Sequence, residues 1–347
     1  MKRRDVIKTA GASAALAGSA VYAPMVMAKK NKITWRLQTY ANAALAETVI
    51  KPQVEAFNKA ANGEMEIELY TASEIVPEPE LFRAVQDGTV DAAQSDDKSM
   101  GSPADVADFS GYFPLASRYG LDVPTLWNEY KLNDIWKEAY SEIDGVEWLA
   151  TGGWDPCIIA TSTPIRSIDD FKGLKLYMTG TLAQFMKRLH AVPVTVANED
   201  VSMGLQTGEL DGVAWSGFTE LYNIGWADIA KYALTNPLSG GWAGSYFVNS
   251  DSWKKIPDHL KTLYRMSIAQ SNYHRLHWYW YGEAHYRAKG GKMKLTSIPS
   301  DQWSTVEDEA KKFWDETAQR SKRNARVVEI LKDYLDVMRQ AGAPYRG

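Results

Sequence analysis

Cysteine is nearly absent from this sequence, and its scarcity excludes several kinds of site. The one cysteine, Cys157, leaves no possibility of an intramolecular disulfide or a CxxC metal or redox motif. It lies in the apolar segment Pro156–Ala160, which favours a packed thiol over a reactive one. A chain of 347 residues without disulfides must be held together by its hydrophobic cores, and its length allows two of them.

Basic runs and catalytic motifs are also missing. The formal net charge is −4, and no cluster of lysine and arginine could neutralise phosphates, so neither nucleic acid nor an anionic membrane surface is expected as a partner. The sequence contains no HExxH, GxSxG, P-loop or strand-linked GxGxxG motif. We therefore expect a protein that is not an enzyme and that carries no cofactor and no metal.

The first 28 residues are interpreted as an export signal. Lys2, Arg3 and Arg4 precede a weakly apolar run that ends at Val26-Met27-Ala28, a small-residue cleavage pattern. Arg3-Arg4 resembles a twin-arginine export motif. The apolar run is too short and too poor in leucine and isoleucine for a retained membrane anchor. The prediction is a periplasmic protein that is not integral to the membrane after cleavage.

The rest of the chain alternates strands and helices. A strand is predicted at Lys32–Gln38, a helix from about Ala44 to Ala61, and a strand at Met65–Tyr70. This order is typical of an α/β domain with a parallel sheet. A second series of short strands and helices follows Trp148, and the chain becomes helical from about Asp251.

One internal repeat indicates two similar lobes. Ala84–Ala92 and Gly204–Gly212 share glutamine, glycine and aspartate at equal offsets, and each predicts a helix that ends on a glycine before a short strand. We expect lobe I over residues 29–152, lobe II over 153–250, and a helical region over 251–347 that crosses back over both lobes.

Polar and aromatic residues follow the predicted strands, where ligands bind in open α/β sheets. The candidate ligand-binding residues are Tyr40, Asp96, Asp97, Trp154, Asp155, Tyr177, Trp215 and Trp242. Each has a structural alternative. The tryptophans could belong to a core, Asp96 or Asp97 could cap a turn, and Asp155 could form a turn with Pro156.

Three segments carry a resemblance to a known family: Ile168–Lys175, Val192–Val194 and Gly204–Gly212. In order and spacing they resemble the periplasmic solute receptors of tripartite ATP-independent periplasmic (TRAP) transporters, of the dicarboxylate-receptor (DctP) type. The resemblance implies a periplasmic-binding-protein-like α/β fold with a ligand cleft between two lobes and long C-terminal helices across both. It also implies a small-molecule solute, capture by lobe closure, and delivery to a TRAP membrane permease driven by an ion gradient.

The sequence departs from the family pattern at two anion-binding positions. Tyr177 stands where the family usually has an arginine that grips the solute carboxylate, and Ala214 stands where the 2-oxo acid branch has an acidic residue before the tryptophan. Carboxylates and aromatic faces suit an ammonium group, so the leading hypothesis is an amine-bearing or zwitterionic solute similar to ethanolamine or betaine. One alternative is a small organic acid held by Lys98, Arg36 or Arg118, and another is an exported enzyme acting on small metabolites.

Overall fold

The structure is a computed structural model that describes residues 32–153 and 155–342, with Glu199 described by its backbone only. The predicted export signal, residues 1–28, lies outside the described residues. The described residues form one compact unit built on two sheets.

The first sheet has five strands in the order β2-β1-β3-β10-β4. Its first three strands are parallel, whereas β10 runs antiparallel to both of its neighbours. These strands are β1 (Ile33–Thr39), β2 (Met65–Tyr70), β3 (Ala92–Ser95), β4 (Val146–Gly153) and β10 (Ala243–Asn249).

The second sheet has six strands in the order β11-β9-β5-β8-β6-β7. Here β6 pairs in parallel with β7 and with β8, and β5 is antiparallel to β8 and β9. The strands are β5 (Cys157–Thr161), β6 (Lys175–Tyr177), β7 (Val192–Val194), β8 (Gly212–Ala214), β9 (Tyr232–Ser239) and β11 (Lys294–Thr296).

Helices cover both sheets. They are α1 (Ala43–Val49), α2 (Lys51–Ala60), α3 (Leu81–Gln86), α4 (Asp122–Asn128), α5 (Leu132–Ser141), α6 (Gly180–Arg188), α7 (Val201–Thr207), α8 (Phe218–Asn223), α9 (Ser250–Lys255), α10 (Asp258–Lys289), α11 (Ser300–Ala318) and α12 (Lys322–Ala341). Short 3-10 helices span Glu78–Glu80, Asp105–Phe109, Ile168–Phe171, Asn198–Asp200 and Trp226–Asp228. The 32-residue α10 packs on β4 of the first sheet, on the neighbouring helix α2, and on α8 beside the second sheet.

One predicted helix is two helices in the structure. The segment from about Ala44 to Ala61 divides at Ile50, because Pro52 lies in the first turn of α2. Proline lacks an N–H and restricts the preceding residue, so it is tolerated at a helix start but not in a helix interior. The pattern of apolar residues continues across this break and does not show it.

The internal repeat has the same local structure in both copies. Gly88 and Gly208 have φ angles of +79° and +77°, the left-handed conformation that glycine adopts readily. The aspartate that follows each glycine also acts alike: an Asp91 carboxylate oxygen accepts the Arg36 N–H at 2.9 Å, and one of Asp211 accepts the Lys175 N–H at 2.8 Å. In each copy, one turn therefore joins a helix to the strand that follows it, β3 or β8, and to the neighbouring parallel strand, β1 or β6.

The chain crosses between the sheets at two places that lie side by side. The first crossing lies between β4 and β5 and contains Asp155 and Pro156, and the second lies between β9 and β10 and contains residues 240–242. The Trp242 N–H donates to the Asp155 carbonyl at 2.7 Å and joins the two crossings. The second crossing places β10, within the range expected for lobe II, in the first sheet. The lobe boundaries remain a prediction.

The predicted α/β architecture, with parallel strands in two sheets and long C-terminal helices, is confirmed. Helix α12 packs on α4 and α5 beside the first sheet, and α11 packs on α6 beside the second. Among the residues that the structure describes, no helix has both the length and the apolar character needed to cross a membrane.

Candidate functional site

Four of the predicted residues form a run of ring contacts at the junction of the two sheets. The Tyr40 ring lies 4.8 Å from that of Trp242 and 6.5 Å from that of Trp215, centroid to centroid. Trp215 in turn lies 5.7 Å from Tyr177. Tyr40 and Trp215 are partly exposed, whereas Trp242 and Tyr177 are buried. The four rings thus form an aromatic wall with two members accessible from outside.

Glycines let the backbone approach this wall. A Cβ atom on Gly244 would lie 2.1 Å from the Trp242 ring, and one on Gly153 would lie 2.3 Å from it. Both distances are far below van der Waals contact. The Trp242 ring therefore lies close against Gly153 of β4 and Gly244 of β10, and any larger side chain at either glycine would displace it.

Asp155 is the one predicted carboxylate that lies against the aromatic wall in the described part of the chain. It is buried in the first crossing, and its Oδ2 accepts a hydrogen bond from the Tyr112 hydroxyl. The same hydroxyl accepts the Ser216 N–H at 3.0 Å. Burial, followed by the Glu220 carboxylate, raises the pKa of Asp155 well above its ordinary value.

Glu220 is the second buried carboxylate of this junction, and the sequence analysis did not identify it. It lies on α8, and the Tyr279 hydroxyl donates to its Oε1 at 2.5 Å. Burial raises the pKa of Glu220 to about 6. Burial and then the carboxylates of Glu220 and Asp155 raise the pKa of Tyr40 well above its ordinary value. The Tyr40 hydroxyl therefore lies in the field of both acids.

Glu283 of α10 fixes the start of α8 and so the position of Glu220. Its carboxylate accepts the Phe218 N–H at 3.0 Å, and the Thr219 N–H and hydroxyl at 2.8 Å each. These N–H groups have no partner within the helix, and the N-cap residue, Gly217, has no side chain to cap them. A Cβ on Gly217 would lie 2.4 Å from the Glu283 carboxylate. The absence of a side chain at Gly217 therefore leaves room for Glu283 to cap α8.

The other predicted acids have partners elsewhere. Asp97 accepts hydrogen bonds from Trp136 at 3.0 Å and from Tyr140 at 2.6 Å, within the core beside α5. Asp96 accepts the Ser99 N–H at 2.8 Å, which is the turn-capping alternative considered above. Trp154 lies outside the described residues.

The basic residues that were considered as partners for an organic acid also have their contacts away from the aromatic wall. Lys98 pairs with Asp108 at 2.8 Å, and Arg36 lies 3.8 Å from Asp91. Arg118 lines a separate cavity of about 900 Å³ beside α11 and α12. The arginine near the wall is Arg275 of α10, whose charge acts on Tyr40.

The arrangement suits an organic cation more than it suits a metal ion. In the described residues no group of three or more histidine, cysteine, aspartate or glutamate side chains could hold a metal. The charged groups named as influencing the pKa values of Asp155 and Glu220 are themselves carboxylates: Glu220 and Glu283 for Asp155, and Glu283 for Glu220. Two buried carboxylates beside buried and partly exposed aromatic rings create a negative, partly dry site of the kind to which ammonium groups are attracted.

Residues 41–321 match the family described as bacterial extracellular solute-binding protein, family 7, or DctP. The chain belongs to this family. The predicted resemblance to DctP-type receptors of TRAP transporters is thereby confirmed, and so is a small-solute receptor in the extracytoplasmic space.

Three relatives of this receptor differ in their solutes. A TRAP receptor from Chromohalobacter salexigens, solved with bound (S)-2-amino-1-propanol, is 52% identical, has a TM-score of 0.88, and covers 90% of this chain and 99% of its own. A monocarboxylate 2-oxoacid-binding periplasmic protein of Nostoc is 24% identical over 96% of this chain and 94% of its own. The C4-dicarboxylate-binding protein DctP of Rhodobacter capsulatus is 26% identical over 62% of this chain and 65% of its own.

Proposed function

We propose that this TRAP receptor captures a small amine-bearing solute, such as an amino alcohol, at the junction of its two sheets. The observation that carries the proposal is the buried pair Asp155 and Glu220 against the aromatic wall of Tyr40, Trp215, Trp242 and Tyr177. The strongest electrostatic influences on Asp155 come from other carboxylates, those of Glu220 and Glu283. An ammonium group placed there would stabilise charges that otherwise repel one another.

The aromatic wall adds to this preference. A cation over a ring face gains about 0.5–2 kcal/mol, more when water is excluded. A carboxylate solute without an ammonium group would gain nothing from the rings and would be repelled by both acids. The 52% identical receptor, with an amino alcohol bound, agrees with this solute class.

Calorimetric titration of the purified, ligand-stripped receptor tests the proposal. We expect 2-aminopropan-1-ol, ethanolamine or glycine betaine to bind, and pyruvate and succinate not to bind. Binding of the acids alone would contradict an amine receptor and favour the organic-acid alternative.

The affinity for an amine is expected to fall as the pH is lowered. The pKa of Glu220 is about 6, and that of Asp155 is also raised, so acidification protonates the empty site, and the ammonium group must displace those protons. Each displaced proton changes the dissociation constant by up to about tenfold per pH unit. Titration between about pH 8 and about pH 5 in buffers of different ionisation enthalpy measures the released protons. An affinity that is constant over this range would contradict the role of the pair.

The same pKa shifts determine how the empty receptor responds to pH. Because the folded state holds these protons more tightly than the unfolded state, their contribution to stability is present at low pH. It is lost as the pH rises through the folded pKa, about 6 for Glu220. The increase in melting temperature on adding amine should therefore be larger above this pH than below it.

We propose that solute capture is coupled to closure of the two halves, as the family resemblance implies. Asn42, which follows β1, donates from Nδ2 to Oδ1 of Asn198, which follows β7, at 3.0 Å. Asn42 also caps α1 through its own Oδ1, so Asn198 is the better target for mutation. The bond joins segments beside different sheets, and in the proposed closure it would stabilise the closed arrangement.

Asn198→Ala is expected to weaken amine binding by about three- to tenfold, since one net hydrogen bond contributes about 0.5–1.5 kcal/mol. At an amine concentration that saturates the wild type, the variant should also have a larger radius of gyration than the wild type in solution scattering. Asn133→Ala, which removes an exposed hydrogen bond between Asn133 and Asn128, serves as the control. Equal affinity and scattering in both variants would refute the closure contact.

A further inference from the structure

Arg275 of α10 is a buried arginine with unused hydrogen-bond donors. Its side chain is 1% exposed, and its Nη2 donates to the Tyr246 hydroxyl at 2.9 Å and to Oδ1 of Asn272. Its Nε and Nη1 are also buried, but they have no hydrogen-bond partner among the described residues. Buried polar groups are nearly always satisfied, so these donors indicate a missing acceptor.

Gln94 of β3 is a second buried donor without a partner. Its side-chain oxygen accepts the Thr39 hydroxyl at 2.7 Å, and its Nε2 has no partner among the described residues. Tyr246 is the direct cross-strand neighbour of Gln94. The Tyr40 backbone N–H donates to the backbone carbonyl of Gln94 at 3.1 Å. The unused donors of Arg275 and Gln94 therefore flank the same tyrosines at the end of the first sheet.

Helix α10 connects these donors to the acid pair. Arg275, Tyr279 and Glu283 are spaced four residues apart and share one helix face. Tyr279 holds Glu220, Glu283 caps the helix that carries it, and Arg275 lies one turn earlier. Gly152 permits the close packing of β4 here, because a Cβ on it would lie 2.8 Å from Arg275 Nη2.

The charges around Tyr40 agree with this arrangement. Glu220 and Asp155 raise the pKa of Tyr40, whereas Arg275 lowers it, so the hydroxyl is influenced by both signs of charge. A solute beside Tyr40 would then meet acids at one end and unused donors at the other.

We infer that Arg275 and Gln94 form an oxygen-binding subsite, which takes the hydroxyl or carboxylate oxygen of the solute whose ammonium group lies at Asp155 and Glu220. The inference rests on the proposed amine function and narrows it. The solute class is then amines that carry an oxygen acceptor on a neighbouring carbon, rather than simple alkylamines. The competing role for Arg275 is purely structural, as a donor to Tyr246 and Asn272.

A pair of ligands separates the two roles. 2-Aminopropan-1-ol and propan-2-amine share an ammonium group and a three-carbon skeleton and differ in one hydroxyl. The wild-type receptor is expected to bind the amino alcohol at least about tenfold more tightly, as befits a hydrogen bond from a charged donor. Arg275→Met should reduce this preference to less than about threefold, and Gln94→Met should reduce it partly. Arg265→Met, which changes an exposed arginine of the same helix, should leave it unchanged.

Other outcomes overturn the subsite. Equal weakening of both ligands in Arg275→Met and Gln94→Met would assign both residues a structural role. Equal wild-type affinity for the two amines would also refute the subsite while leaving the amine function intact. If the wild type binds neither amine, the proposed function itself fails. Should Arg275→Met not fold, as judged by circular dichroism, the wild-type preference and the Gln94→Met result decide the question.

Discussion

Replacing Glu220 with glutamine is expected to weaken amine binding by about two orders of magnitude. Removing one partner from a buried charge pair costs about 3–5 kcal/mol, and the remaining Asp155 carboxylate places this variant at the lower end. The glutamine keeps the shape of the side chain and can still accept the Tyr279 hydrogen bond. The lost affinity would therefore report the charge, and calorimetry on the purified variant measures it.

The same substitution should stabilise the receptor when no solute is present. Glu220 raises the pKa of Asp155, so the two acids destabilise each other in the empty site. We expect Glu220→Gln to have a higher melting temperature than the wild type at neutral pH without ligand. A lower affinity with a higher stability is the signature of a binding charge, since damage to a structural residue would lower both.

Asp97→Asn provides the matched control. Asp97 is equally buried, and burial raises its pKa to about 6, but its hydrogen bonds go to Trp136 and Tyr140 in the core beside α5. Its replacement should change stability and leave amine affinity within about twofold, because neither of these partners belongs to the aromatic wall or to the pair Asp155 and Glu220. If Asp97→Asn lost as much affinity as Glu220→Gln, the assignment of the acid pair would be wrong.

Tyr177→Arg is expected to have the second large effect. Tyr177 is 4% exposed, and its ring lies 5.7 Å from Trp215 and 5.9 Å from Trp226. A guanidinium group there would repel an ammonium solute in surroundings of low polarity, and we expect about tenfold to hundredfold weaker binding. The variant should also gain affinity for small carboxylates, because arginine at this position is the device that the family resemblance associates with acids.

Tyr177→Phe separates charge from shape in that experiment. It retains the ring against Trp215 and introduces no charge, so its amine affinity should fall far less than that of Tyr177→Arg. Unchanged amine binding in Tyr177→Arg, with the variant folded, would place Tyr177 outside the site.

The repeated helix-to-strand turn was predictable because its signals are local. Glycine after a helix and aspartate three residues later have a fixed backbone role, and the structure shows that role at Gly88 with Asp91 and at Gly208 with Asp211. The aromatic residues at strand ends were predictable for a similar reason. Where a strand ends, the chain direction brings its last residues to the sheet junction.

The residues that the sequence analysis missed are fixed by tertiary contacts. Glu220 reaches the junction because α8 starts at a cap supplied by Glu283, which lies 63 residues further along the chain. Arg275 and Tyr279 lie on a 32-residue helix among other aromatic residues, and Trp280 and Tyr281 of that run are exposed. The spacing of 275, 279 and 283 was visible as one helix face, but nothing local shows which element that face contacts.

A consequence of α10 concerns the length of the solute. The helix rises about 1.5 Å per residue, so Arg275 and Tyr279 are about 6 Å apart along its axis. Arg275 and the Tyr279 hydroxyl that donates to Glu220 both belong to this one element, and a continuous helix would keep its length in the proposed closure. The helix thereby fixes the distance between Arg275, which would donate to an oxygen of the solute, and the Tyr279 hydroxyl, which positions Glu220. In the proposed function, α10 would therefore select the spacing of nitrogen and oxygen in the solute equally before and after closure.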